Sequence, residues 1–136
     1  MTFKSLFLSF FGSMLLSAPA LAVPTDNIWH GYIIDKQCAD SVRHDADPSD
    51  FIHHHFKDCA LMANCQKKGY SLYTKGIWLD LDSRGNKLAI KLLQSSKRRS
   101  AFYVEAIGAR QKNILQVKSM NEIAEPKVSP EPEQKH

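Results

Sequence analysis

The stretch "HHHFKDCALMANC", His53 to Cys65, gathers three histidines, two of the chain's three cysteines and Met62. Thiolate, thioether and imidazole are soft donors that suit copper(I), and three thiolates with one imidazole suit structural zinc. On a continuous helix His55, Cys59 and Met62 stand at i−4, i and i+3, which predicts one shared face. Cys59 and Cys65 are six residues apart, about 240° around such a helix. A four-ligand set that includes both therefore requires a break near Ala63 or Asn64, with His44 of "SVRHDAD" as the remaining candidate. The plainer reading treats Cys59 and Met62 as core and the histidines as a solvated loop.

Other chemistries find less support. The chain has no Cys-x-x-Cys, no Cys-x-x-Cys-His, no HExxH, no Gly-rich phosphate loop and no G-x-S-x-G. Asp80 and Asp82, two apart on an expected strand, could pair as acid and base but read more simply as the wet face of a hairpin. A Cys59 nucleophile activated by His55 lacks any marked orienting group. The expectation is a non-enzymatic protein.

Compartment decides how the cysteines are read. "MTFKSLFLSFFGSMLLSAPALA" combines one basic residue, an apolar run and a small-x-small ending at Ala22, the pattern of a signal peptide over residues 1–22. The apolar run is too short for a comfortable span, so no membrane anchor is expected in the mature chain, which should be periplasmic or secreted. In an oxidising compartment the default fate of cysteine is a disulfide, and three cysteines allow three pairs with one left over. If the first strand pairs antiparallel with Tyr70 to Thr74, Cys38 lies just beyond one strand end and Cys65 just before the other. That favours a Cys38–Cys65 disulfide, with Cys38–Cys59 next. Closing a loop of about 28 residues would stabilise by about 3 to 4 kcal/mol.

The elements that must position these residues follow from period and turn chemistry. "IWHGYIID" reads as a strand buried on both faces. Ile52, Phe56, Cys59 and Ala63 carry helical spacing, which Gly69 ends. "YSLYTKGIWLDLD" reads as two strands about a Lys75-Gly76 turn, with Ile77, Leu79 and Leu81 on one face. In "GNKLAIKLLQSSK", Leu88, Ala89, Leu92 and Leu93 form a helical stripe, with Asn86 expected to cap it. "AFYVEAIG" and "NILQVKSM" are two further strands separated by "ARQK". The order predicts a mainly β fold with two helical segments. It is a five-stranded OB-like barrel with a helical insertion between strands 1 and 2 and a helix between strands 3 and 4. A two-layer sheet under one helix is the alternative. One domain spans residues 23–123, and the Pro-rich, charged residues 124–136 read as a disordered tail.

The chain resembles a family of small exported bacterial proteins with no established activity. The resemblance rests on "GYIIDKQC", on "DCALMANC" followed closely by "GY", on "LDSRGNKLAIKLL" and on "ILQVKSM", between Trp29 and Met120. It implies an OB-like β-barrel and a Cys, His, Cys, Cys pattern over Cys38, His44, Cys59 and Cys65.

The formal charge of +4 is ordinary solubility, and "KRR" at Lys97 to Arg99 reads as a solvated loop, so no nucleic-acid partner is expected. The reading is an exported binding or accessory module of unknown ligand. Its candidate cofactors are copper or zinc, held by His55, Cys59, Met62 and His44. The alternatives are a structural or interaction domain stapled by a disulfide, meeting a protein partner through the barrel face or a strand edge, and more remotely a thiol enzyme.

Overall fold

The computed structural model describes residues 18–127. Most of the expected signal peptide and residues 128–136 of the expected tail lie outside them. β1 (Asp26–Asp35) runs directly into α1 (Lys36–Val42), and three more short helices follow: α2 (Ser49–His54), α3 (Lys57–Ala60) and α4 (Ala63–Lys68). β2 (Tyr70–Thr74) and β3 (Ile77–Leu81) form a hairpin, α5 (Ser83–Ser95) crosses over, and β4 (Tyr103–Gln111) and β5 (Ile114–Glu122) close the chain.

The strands hydrogen-bond in the order β1-β2-β3-β5-β4, and β4 returns to β1, so the sheet forms a ring. Four contacts of the ring are antiparallel and β3–β5 is parallel. The inward residues Leu72, Leu79, Val104, Leu115 and Val117 pack with Phe102 and with Ala89, Leu92 and Leu93 of α5. The stripe on α5 thus covers the ring as its spacing implies.

The expected mainly β OB-like barrel with two helical segments is corrected by these elements. Helix and strand take nearly equal shares, 33% and 35%, among five helices and a mixed sheet. The excess helix lies in the insertion. Asp35 pairs with Tyr70, so the chain must leave and return at almost one point. It does so as four short helices, because the expected continuous helix breaks at His55–Phe56 and again at Leu61–Met62.

Smaller expectations also shift. β1 is dry only in its second half, and Ile28 is 63% exposed. α5 begins earlier than its apolar stripe, because the Asp82 carboxylate accepts from Gly85 N at 2.8 Å and caps the first turn. Asn86, the expected cap, instead accepts from Tyr70 N at 2.9 Å, which pins α5 to the start of β2. "ARQK" is mostly strand, and the β4–β5 turn tightens to Lys112-Asn113. Lys75-Gly76 does turn the β2–β3 hairpin, both residues with positive φ. No helix among the described residues is long and apolar enough to cross a membrane.

Candidate functional site

Asp35 is the last residue of β1, fixed by its pairing with Tyr70 and by Lys36 N donating to Gly69 O at 2.8 Å. Its extended backbone makes it the N-cap of α1: the carboxylate accepts from Cys38 N at 3.0 Å. The chain thereby places a carboxylate and a cysteine within one turn. Asp35 is fully buried.

The other oxygen of Asp35 meets His55 Nε2 at 2.5 Å. His55 stands in the break between α2 and α3, where its extended backbone turns the imidazole inward while His53 and His54 stay exposed. The residue is 6% exposed, and its ring packs 5.5 Å from that of Phe51. Burial pushes the His55 pKa below the usual imidazole range, and Asp35 only partly offsets this. Neutral His55 therefore carries its proton on Nε2, donates to Asp35, and keeps the Nδ1 lone pair.

Three donor atoms, one each from Asp35, Cys38 and His55, lie within 4.8 Å of one another. Cys65, on α4, is buried next to the same carboxylate. Burial and the adjacent Asp35 push the Cys38 thiol up to about 12 and raise Cys65 as well. Tyr70 is raised to about 12 by the same causes, and its hydroxyl donates to Ala60 O at 2.8 Å, tying α3 to β2. α1 and α4 are joined across the site by Asn64 Nδ2 donating to Gln37 Oε1 at 3.1 Å.

The expected ligands divide. His55 enters the cluster, whereas Cys59, on α3, is exposed. Met62 is 53% exposed as the N-cap of α4, and His44 is exposed in the turn after α1. The helix breaks remove the shared face expected of His55, Cys59 and Met62. Cys38, Cys59 and Cys65 are unbonded in this structure. The Asp35 carboxylate opposes the ionisation of both Cys38 and Cys65.

Asp35 is the residue that sequence reasoning missed. Its signal was available: an acidic residue closing an apolar strand, three before a cysteine, is the spacing of an N-cap carboxylate. Asp80 and Asp82 do not pair as acid and base. Asp80 accepts from Arg43 at 3.0 Å and Ser71 at 2.7 Å, and Asp82 caps α5.

As a catalytic triad the cluster is wired in the wrong order. A nucleophilic thiol needs the imidazole as its base and the carboxylate behind the imidazole. Here Nε2 of the imidazole is taken up by the carboxylate, and beside that carboxylate the thiol resists ionisation. Neither protein-family models, nor curated proteins, nor solved structures give a match to this chain.

Proposed function

We propose that the chain is an exported binding module that holds one soft or borderline transition-metal cation, copper(I) or zinc. Cys38, Cys65 and the Nδ1 of His55 are the donors, Cys59 is a further, exposed sulfur, and Asp35 orients the imidazole from behind. The observation that carries this reading is a fully buried carboxylate that meets an imidazole at 2.5 Å, with the Cys38 donor atom within 4.8 Å of both and a second thiol, Cys65, whose ionisation the carboxylate opposes. Among the described residues no lysine or arginine pairs with it.

A buried anion without a cation is costly, and the thiols cannot ionise beside it. A bound cation reverses both effects, since a coordinated thiol is deprotonated outright. A carboxylate holding the far nitrogen of a ligating histidine is the usual support of such a site. Tetrahedral bonds of 2.0–2.3 Å space donors at about 3.3 to 3.8 Å; Asp35, Cys38 and His55 stand within 4.8 Å of one another, whereas Cys65 lies outside that group and has further to close.

The test is native against denaturing mass of the reduced protein with zinc and with copper(I). One ion per native chain is expected, none after denaturation. Asp35→Asn and Cys38→Ser should each weaken binding by about 10- to 100-fold, whereas Met62→Leu should be silent because Met62 is exposed away from the cluster. Equal affinity in Cys38→Ser and the parent would overturn the proposal.

A second reading keeps the expected disulfide. Cys38 on α1 and Cys65 on α4 are both close enough to the Asp35 carboxylate for it to oppose their ionisation, so oxidation after export could staple α1 to α4 and leave an interaction domain. Thiol labelling of exported protein distinguishes the two: three reactive thiols after unfolding support the metal site, one supports the staple.

A further inference from the structure

Outside the buried cluster, on the side of Cys59, lies a cavity of about 540 Å³. Its walls are α3 and the segment after α5, clamped together by Lys57 N donating to Arg99 O at 2.8 Å and by Lys57 Nζ on Ser96 O. Lys57, Lys97, Arg98 and Arg99 line it against a single carboxylate, Asp58. Arg98 is held by Ala101 O at 3.0 Å and neutralised by Glu122 at 3.3 Å and Glu125 at 3.8 Å. Lys97 and Arg99 are exposed and form no ion pair among the described residues. Phe56, 51% exposed, supplies an apolar wall. Cys59 opens into this cavity from α3, the partition between cavity and cluster: Phe56 at its start follows His55 directly, and Ala60 O at its end accepts from Tyr70, which pairs with Asp35.

We infer that this cavity is the mouth of the metal site, that it receives the metal as an anionic complex of a small organic thiol or carboxylate, and that Cys59 is the first sulfur to take it. The inference rests on the proposed metal site. A bare aqua cation fits the cavity badly on two counts. Lys57, Lys97 and Arg99, none of them ion-paired among the described residues, repel it, and an ion with six waters fills only about 200 Å³ at about 30 Å³ per water. The cavity instead falls within the range of sites for small organic ligands, about 300 to 1,000 Å³. Cationic walls attract an anionic carrier and steer its approach, an effect that salt screens. At the wall the Cys59 thiol releases its proton to solvent, a sulfur–metal bond forms and one carrier donor leaves. The same exchange at Cys65 and Cys38 carries the metal inward and frees Cys59.

Transfer kinetics test this with copper(I) offered to the reduced full chain in two forms, the anionic glutathione complex and the cationic acetonitrile complex. In the Lys97→Glu, Arg99→Glu double variant, transfer from the glutathione complex should slow tenfold or more. Transfer from the acetonitrile complex should speed up, and final affinity should stay within twofold of the parent. The difference should shrink in high salt. Cys59→Ala should slow both transfers. If charge reversal leaves both rates unchanged, or moves them equally, the cavity is not the mouth and the metal site stands without it. If the parent takes no copper from either complex, the metal site itself falls.

Discussion

Two histidines two residues apart each meet a carboxylate, and their surroundings make them opposites. His55 and Asp35 face each other at 2.5 Å with side chains 4% and 0% exposed. His53 and Glu125 face each other at 2.7 Å with side chains 44% and 28% exposed. In the dry pair burial dominates, and the imidazole is held neutral. In the wet pair the Ser49 carbonyl and then Glu125 stabilise the charged ring, whose pKa is raised. Glu125 resists the cost of its own partial burial because Tyr32 and His53 hydrogen-bond to it, and its carboxyl is held low. One pair is thus an ordinary surface ion contact. The other is a polarised neutral imidazole beside thiols, a donor set that only a dry site produces.

Deleting the acids separates the pairs most strongly. Asp35→Ala strips the acceptor from His55 Nε2 and from Cys38 N in a buried site, and should cost the metal-free protein about 3 kcal/mol. Glu125→Ala should stay within about 0.5 kcal/mol. Urea unfolding midpoints measure both, and equal losses would mean that burial does not distinguish the pairs. The neighbouring tyrosines repeat the contrast on a smaller scale. Tyr70→Phe leaves Ala60 O without its buried donor and should cost about 1 kcal/mol, whereas Tyr32→Phe, whose hydroxyl meets the half-exposed Glu125, should cost a few tenths.

The subtlest test is titration. In the metal-free protein, His55 should titrate below about 6.5 and His53 above it when followed by imidazole proton resonances. The linkage signs are then opposite. The lowered group makes the unfolded chain the better proton binder, so its stabilisation is present above about 6.5 and lost as pH falls through the native value. The raised group contributes below about 6.5 and loses that contribution as pH rises through its native value. His55→Gln and His53→Gln should remove opposite slopes from the pH profile of stability. A common midpoint for the two rings would erase the comparison.

The two pairs also mark what could be read in advance. His55 was legible as a candidate because it stands among sulfur donors, yet its partners were assigned by carrying one helix through to Met62. Helical spacing at Ile52, Phe56, Cys59 and Ala63 was real, but it survived only in pieces. Phe56 is half exposed and Ala60 is the buried residue of α3, so the stripe is replaced by a different packing in each short helix. Glu125 belongs to the stretch expected as tail, and its contacts with Tyr32 and His53 span more than 70 positions, beyond any local pattern.

What the amino-acid order determined by itself is local. The Lys75-Gly76 turn, the inward alternation of Leu79 and Leu81, and the stripe of Ala89, Leu92 and Leu93 follow from turn geometry and from the periods of strand and helix. The cap at Asp35 belongs to the same class, since donor and acceptor are three residues apart. Tertiary structure alone decided that Asp35 would be dry, that His55 rather than His44 would reach it, and that Cys59 would face outward. Those outcomes depend on how four short helices fold back over one strand junction, Asp35 against Tyr70. That path is chosen by packing between residues twenty or more positions apart, where chain order carries no fixed geometry.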